Sequence, residues 1–479
     1  MGLNAITREY AELLDSDELA IHGLIYCSAA LRLDDNMAKE ALSLVTDDAE
    51  LCTCLLRRIK SLDCVWKTWD GSWYITEEVR INLVEQLQEQ YPQAVQHQLR
   101  DLIAKYAENK TLGYSPDGQI TEYRKRITLF ESAYQRTMIE DQADQGALQF
   151  INIWENSTYQ AKQATARCVE YLAPEIERTI SNIPVRLLFL RGMAARARGD
   201  KTAQYRYFRA VWEQGQIGHV FALAAHFYGL LERDRRIAEK ALRDSIDWGV
   251  TSEHQSQVYH SLGNLLARDR NRGREAEAAY RQSLLLDPSA EHQGQVQVYH
   301  SLGNLLAWDR NRWREAEAAY QRSIELRIDP EDIAQVYHSL GNLLARDRNR
   351  WREAEGAYEQ SIQLKTSLEE KGQVYASWAD MLSHSTATAD LESSTKYAKL
   401  ALNYDSSNPK TCGVCYRVLA IVYEKLGKFQ KAIDALNSLL RTDAQLGRRK
   451  FESRIRERIA DLEAQLVSDS DKGVNSRPL

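Results

Sequence analysis

Histidine is the residue type in this sequence whose spacing most directly suggests chemistry. His260, His300 and His338 recur at similar intervals, and imidazole nitrogens are common metal ligands. However, each histidine occurs once per repeated segment, and no cysteine or carboxylate recurs beside it at the spacing of a metal site. We therefore expect no bound metal and no cofactor.

The seven cysteines give no clearer sign of catalysis. Cys412 and Cys415 have the CxxC spacing of redox motifs, but their surroundings predict the start of a helix rather than the end of a strand. Cys52 and Cys54 are two residues apart on a predicted helix and therefore do not share a face. The sequence contains no GxxxxGK phosphate loop and no Ser-His-Asp arrangement. We expect core thiols and no enzymatic activity.

The composition favours a helical, cytoplasmic protein. The 479 residues include 62 Lys and Arg against 68 Asp and Glu, and this net charge of −6 gives no global reason to bind nucleic acid. Gly and Pro, which disfavour helices, number only 23 and 8. The first residues lack the pattern of a secretory signal, and no apolar run approaches the roughly 18 residues of a membrane span. We expect a reduced compartment and no membrane contact.

A segment of 27 residues occurs three times, at 258–284, 298–324 and 336–362. The first two copies differ at 5 positions, and the second and third differ at 4. Each copy has two stretches of apolar residues at helical spacing, separated by a polar sequence such as RDRNRGRE. Each copy is therefore predicted to form two antiparallel helices joined by a turn.

The copies resemble the tetratricopeptide repeat. The period of that family is about 34 residues, whereas Tyr259 and Tyr299 are 40 residues apart here. The resemblance implies an all-α fold, in which residues 186–447 form a right-handed α-solenoid. A capping helix would follow at 448–467 and a disordered tail at 468–479. The residues of the first copy that match the family pattern are Tyr259, Leu262, Gly263, Leu266, Ala276 and Tyr280.

The resemblance also implies a binding surface. In this family the first helix of each repeat faces a concave groove that holds a peptide or a partner protein. A row of asparagines there can hold an extended peptide backbone, because each amide has both donors and an acceptor. Histidine stands where the family carries the Lys or Arg that grips a C-terminal carboxylate, so such a carboxylate is not the expected ligand. The groove candidates are Gln257, His260, Asn264, Gln297, His300, Asn304, Gln335, His338 and Asn342.

The near-identity of the copies leaves a second interpretation open. If they arose by recent duplication, every surface position forms a row, whatever its function. The nine candidates would then be an undiverged solvated face rather than a peptide site.

The turn DRNRxRE forms a second recurrent pattern. Stacked arginines can bind phosphate or acidic peptides, but Asp and Glu alternate with them, which favours ion pairing between neighbouring repeats. In the second and third copies, tryptophan occupies the position at which the first copy has Gly273. These tryptophans either staple neighbouring repeats together or form an exposed anchor for a partner. The candidates for this docking edge are Arg270, Arg272, Arg310, Arg312, Trp313, Arg348, Arg350 and Trp351.

Residues 1–110 do not repeat and resemble a winged helix. Three predicted helices are followed by CVWKTWDGSWYIT at 64–76, whose central Asp-Gly pair is a strong hairpin signal. The third helix would read DNA, yet it begins near the acidic residues Asp47, Asp48 and Glu50, which a phosphate backbone repels. We expect a packing or docking module, with DNA contact as the less favoured alternative.

This domain order is similar to the winged-helix and repeat half of STAND nucleotide-switch proteins, without their P-loop NTPase domain. Residues 111–185 would be a helical linker. The resemblance implies a non-enzymatic adaptor or regulatory subunit that binds a peptide or partner protein, by analogy in a prokaryotic signalling or antiviral defence complex. Two alternatives stay open. One is a DNA-binding transcriptional regulator with the repeats as sensor. The other is an inhibitor or substrate of a neighbouring protease or effector.

Overall fold

The computed structural model describes residues 5–15, 17–68, 71–112, 119–156, 159–286, 293–326, 329–448 and 451–474. These residues form 24 α-helices and two short β-strands. The helices pack mainly against their neighbours in sequence, and most of them form consecutive pairs. This arrangement confirms the prediction of an all-α protein built from stacked helix pairs.

The contacts divide the chain into two compact units, Met1–Val250 and Thr251–Leu479. The division falls within the range 186–447, so the domain boundaries drawn from the sequence stay predictions. The elements of the first unit are α1 (Ala5–Leu13), α2 (Glu18–Ser28), α3 (Asp35–Leu42), α4 (Ala49–Lys60), β1 (Val65–Lys67), β2 (Trp73–Ile75), α5 (Glu77–Gln90), α6 (Gln93–Leu112), α7 (Gln119–Thr137), α8 (Ala143–Glu155), α9 (Tyr159–Thr179), α10 (Val185–Ala197), α11 (Lys201–Trp212), α12 (His219–Leu231) and α13 (Arg235–Asp247).

The N-terminal helices and the hairpin share one hydrophobic core. The strands β1 and β2 follow α2, α3 and α4 and pair in antiparallel register, as the sequence predicts. Gly71 has a φ of 87°, a conformation that favours glycine, and Asp70 lies outside the described residues. Trp73 is fully buried and also bridges to Leu33 between α2 and α3. This element order is that of a winged helix, and the assignment stays an interpretation.

The second unit contains the three near-identical copies. Each copy has a first helix, a single turn of 3-10 helix and a second helix, and further helix pairs follow. The helices are α14 (Ser252–Leu266), α15 (Gly273–Leu286), α16 (Gln293–Leu306), α17 (Trp313–Glu325), α18 (Pro330–Leu344), α19 (Trp351–Leu364), α20 (Leu368–Ser383), α21 (Thr388–Tyr404), α22 (Pro409–Lys425), α23 (Phe429–Gln445) and α24 (Glu452–Val474).

Two residue types explain why each copy folds in this way. Asp269 accepts a hydrogen bond from the backbone N–H of Asn271, which begins the 3-10 turn. Gly263 lies against the ring of Tyr280, and a Cβ atom at this glycine would meet Cε1 of the ring at 2.5 Å. Tyr280 is buried, so its ring fills the space between the two helices. The same arrangements recur in the other two copies.

The segments on either side of the predicted solenoid are helical. Helices α7, α8 and α9 lie within residues 111–185, and the assignment of this range as a linker stays a prediction. Helix α24 begins within the predicted cap and continues to Val474, and the assignment of 468–479 as a disordered tail stays a prediction. The helix continues because no glycine or proline interrupts this stretch before Gly473. Residues 475–479 lie outside the described residues.

Candidate interaction surface of the repeats

The nine groove candidates lie on the first helices of the three copies, α14, α16 and α18. These helices contact one another in succession, so their exposed residues form a continuous row. The three glutamines and the three asparagines are exposed, whereas the histidines are half-buried. The structure therefore places the candidates on one surface, with the histidines beneath it.

The asparagines belong to a hydrogen-bond network that recurs with the repeat. In the first copy, the hydroxyl of Tyr280 donates to Oδ1 of Asn264 at 2.8 Å. Nδ2 of Asn264 donates to Nε2 of His260 at 3.2 Å. The same His260 nitrogen lies 3.1 Å from Oγ of Ser301, which belongs to the next copy. The network thus joins both helices of one copy to the first helix of the next.

The other two copies repeat this network. In the second copy, Tyr320 donates to Asn304 at 2.7 Å and Asn304 donates to His300 at 3.2 Å. Nε2 of His300 lies 2.8 Å from Oγ of Ser339, and Nε2 of His338 lies 2.9 Å from Oγ of Ser377. In the third copy, Tyr358 donates to Asn342 at 2.9 Å.

The hydrogen-bond contacts favour a neutral ring for His260 and His300. Because Nδ2 of asparagine can only donate, Nε2 of His260 and of His300 must accept, so the serine hydroxyl donates to it as well. The imidazole is then neutral, with its proton on Nδ1. Burial lowers the pKa of His260, His300 and His338 to about 4, which agrees with a neutral ring.

This network orients the asparagine amides but does not use all of their hydrogen-bond donors and acceptors. An amide has two N–H groups and two acceptor lone pairs, and the network uses one of each in Asn264 and in Asn304. Within the described residues the second N–H and the second lone pair of each amide have no partner, so they remain for another molecule. The sequence signal for this network was the joint recurrence of Asn, His, Ser and Tyr, but the partner of each residue could not be read from it.

The row continues beyond the third copy with different residues. In α20, Asp380 takes the place of the asparagine, and Arg417 of α22 contacts its Oδ1 at 3.1 Å. A cleft of about 550 Å³ lies here, and its lining includes Asn342, Tyr358 and Ser377 together with Asp380 and Arg417. The uncharged row thus ends at an ion pair beside a cleft.

The turn arginines form ion pairs between neighbouring copies. Arg312 contacts both carboxylate oxygens of Glu277 in the preceding copy, at 2.6 and 2.9 Å, and also contacts Glu315 in its own copy. Arg350 does the same with Glu317 and Glu353. The hydrogen bonds to Glu277, and then those to Glu315, raise the pKa of Arg312. Pairing between repeats is present, through glutamates that sequence reasoning did not single out.

Replacing Arg312 by alanine is expected to lower the free energy of unfolding by about 1 kcal/mol, because the pair with Glu277 joins two copies and is only partly exposed. Arg322 is the control, since it pairs with Glu325 of its own helix and both side chains are exposed. Arg322→Ala should cost at most about half as much. Urea unfolding of both variants checks this, and equal losses would show that Glu277 adds nothing.

The tryptophans of the turns contact their own copy and, for Trp313, the next one. Nε1 of Trp313 donates to the carbonyl oxygen of Ala307 at 3.2 Å, and Arg346 of the next copy lies 5.4 Å from the centre of its ring. Nε1 of Trp351 donates to Ala345 at 3.0 Å. Both side chains are half-buried. The contact with Arg346 favours a staple over an exposed anchor at Trp313.

Helix α4, which is the third predicted helix of the N-terminal part, offers little positive charge. Asp48 caps α4 by accepting hydrogen bonds from the backbone of the first turn. Near the other end of the helix, Arg58 pairs with Asp17 at 2.5 Å and Lys60 pairs with Asp35 at 2.7 Å. Two of the basic residues available for a phosphate backbone are therefore already neutralised. No observation in this part of the structure favours the DNA-binding alternative.

The described part of the chain offers neither a metal site nor a membrane span. No group of three or more His, Cys, Asp and Glu side chains there is arranged to hold a metal ion. No helix in the same residues is long and apolar enough to cross a membrane.

Comparison with known families identifies the repeats. Family models of the tetratricopeptide repeat match residues 296–328 and 336–372. These ranges contain the second and third copies, so the predicted repeat type is confirmed there. Tetratricopeptide repeats are a protein-interaction fold, and this part of the chain is a protein-interaction scaffold. No curated protein matches the chain in sequence.

Two solved structures show distant similarity. One is a Signal Transduction ATPase with Numerous Domains (STAND) protein with a tetratricopeptide repeat sensor from Pyrococcus horikoshii. It is 12% identical over 99% of this chain and 68% of that chain, with a TM-score of 0.39. The other is a Rap protein complexed with Competence and Sporulation Factor. It is 13% identical over 78% of this chain and 98% of that chain, with a TM-score of 0.33.

Proposed function

We propose that this protein is a non-enzymatic adaptor or regulatory subunit that binds an extended peptide segment of a partner protein along the row of exposed asparagines and glutamines. The observation that carries the proposal is the orientation of Asn264 and Asn304. Each amide is held by a tyrosine and a histidine, yet keeps one donor and one acceptor for a ligand. Fixed polar groups lose less entropy when a ligand binds, so they favour binding.

The chemistry of the row favours recognition of a peptide backbone. A backbone offers N–H and C=O groups along its length, and an amide side chain can bond to both. The histidines beneath the row are neutral, so they supply no positive charge for a C-terminal carboxylate. The bound segment is therefore not held by its C-terminal carboxylate.

The test is a screen of a random peptide library against the full chain, followed by affinity measurement for the selected peptides. We expect binding in the micromolar range, with equal affinity for free and amidated C-termini. Changing Asn264, Asn304 and Asn342 together to alanine should weaken binding at least about tenfold, which corresponds to about 1.4 kcal/mol.

The matched control changes Asn271, Asn311 and Asn349 to alanine, since these residues lie in the turns of the same copies, outside the row. The control should leave the affinity unchanged. Thermal unfolding of both triple variants shows whether a loss of peptide affinity comes from lost contacts or from lost folding. If the selected peptides bind the Asn264, Asn304 and Asn342 variant as tightly as the natural chain, the row is a duplicated surface and not a peptide site. The same conclusion follows if the screen selects no peptide.

A further inference from the structure

A cleft at the turns between the first and second copies is the strongest unexplained feature of this unit. Its volume is about 880 Å³, and its lining includes Arg270, Gly273, Arg274, Trp308 and Arg312. None of the nine groove candidates lines it, so it is a surface separate from the asparagine row.

The other two copies carry tryptophan at the position of Gly273. Helices α17 and α19 begin with Trp313 and Trp351, and each indole donates its N–H to a backbone carbonyl at the end of the preceding helix. Helix α15 begins instead with Gly273. The first copy therefore lacks the indole that the second and third copies carry in their turns.

The backbone of the first copy is already shaped for a tryptophan. Gly273 has φ −57° and ψ −36°, whereas Trp313 has φ −59° and ψ −33°. A Cβ atom at Gly273 would meet only Cδ1 of Leu305, at the ordinary contact distance of 3.9 Å. Neither backbone conformation nor crowding requires glycine here. The glycine leaves space where a side chain would fit.

The walls of the cleft carry an exposed aromatic ring and several arginines, together with two acidic residues that already have partners: Glu277 pairs with Arg312, and Asp309 accepts from the backbone N–H of Asn311. The side chain of Trp308 is 56% exposed, and the guanidinium of Arg270 lies 5.7 Å from the centre of its ring. Arg312 is neutralised by its two glutamates, but Arg270 and Arg274 are exposed and have no carboxylate partner within the described residues. The cleft thus offers an aromatic face flanked by two unpaired cations.

We propose that this cleft binds a tryptophan side chain of a partner protein, presented by a segment with acidic residues next to it. The partner's indole occupies the space that Gly273 leaves open and packs against Trp308, where a buried aromatic anchor contributes much of a binding energy. The acidic neighbours pair with Arg270 and Arg274. In the second and third copies the chain's own Trp313 and Trp351 occupy this position, whereas Gly273 leaves it open in the first copy.

The test uses a short acidic peptide with a single 5-fluorotryptophan, titrated with the full chain and followed by fluorine NMR. The natural protein should shift the fluorine resonance with a dissociation constant of about 100 μM. Gly273→Trp should weaken binding at least about tenfold, because it fills the cleft. Gly273→Ala, which leaves most of the space open, should stay within about threefold of the natural protein.

Two further variants test the proposal. Arg274→Glu should weaken binding at least about fivefold by repelling the acidic peptide without altering the packing. The Asn264, Asn304 and Asn342 variant should bind this probe normally, which separates the cleft from the asparagine row. Equal binding by the natural protein and by Gly273→Trp would overturn the proposal, as would the absence of a shift at millimolar protein.

Discussion

Replacing Gly341 by alanine is expected to lower the free energy of unfolding by about 2–3 kcal/mol, because the new methyl group has no room. A Cβ atom at this position would meet Cε1 and Cδ1 of Tyr358 at 2.6 and 2.7 Å. The ring cannot swing away easily, since Tyr358 is 1% exposed and its hydroxyl donates to Asn342. The two helices of the copy would therefore have to move apart.

The same copy contains a matched control. Gly356 lies in the second helix, α19, where a Cβ atom would meet nothing within 4 Å. The other two copies have alanine there, at 278 and 318. Gly356→Ala should therefore raise the free energy of unfolding by about 0.5–1 kcal/mol, because alanine favours a helix over glycine. Urea unfolding followed by circular dichroism measures both changes. Equal effects of the two substitutions would show that Tyr358 does not restrict the position of Gly341.

The pairing of two helices within each copy is the part of the fold that the sequence predicted best. Glycine and tyrosine recur at fixed positions in apolar stretches with helical spacing, and local pattern alone relates them. The hairpin at 64–76 was predictable for a similar reason, because an Asp-Gly pair between aromatic and β-branched residues specifies a tight turn. Both predictions depended on contacts within one supersecondary unit.

The contacts between copies were not predictable in the same way. Arg312 binds Glu277, which is 35 residues away, in preference to the nearer acidic residue Asp309, whose side chain caps its own turn. His260 reaches Ser301, 41 residues away. Such partners depend on the rotation of one helix pair against the next, which no local pattern specifies. For that reason the sequence identified the asparagine row but not the network that orients it.

The histidines should make stability depend on pH below neutrality. In an unfolded chain a histidine has a pKa of about 6.5, whereas in the folded protein burial lowers the pKa of His260, His300 and His338 to about 4. Between these values the unfolded state binds protons that the folded state does not, so stability falls as the pH falls. The contribution of these groups is fully present above about pH 7 and is lost progressively down to about pH 4.

Lowering the pH from about 7.5 to about 5 should therefore cost about 1–2 kcal/mol per histidine, or several kcal/mol for the three together. Acidic side chains elsewhere in the chain also begin to bind protons near the lower end of this range, so the natural protein alone cannot isolate the histidines. The informative variant changes all three to glutamine, whose amide oxygen can accept the same hydrogen bonds but does not titrate. His384→Gln is the control, because the side chain of His384 is exposed in the same unit.

Thermal unfolding midpoints of the three proteins across this pH range give the result. The triple variant should lose much less stability in acid than the natural protein, and His384→Gln should follow the natural protein. The same experiment bears on the asparagine row, because a protonated imidazole can no longer accept from Nδ2 of Asn264 or Asn304. Peptide affinity should then weaken only as the pH approaches about 4, where the folded imidazoles titrate, in the natural protein but not in the glutamine variant. Parallel acid losses in all three proteins would show that the buried histidines do not carry the effect.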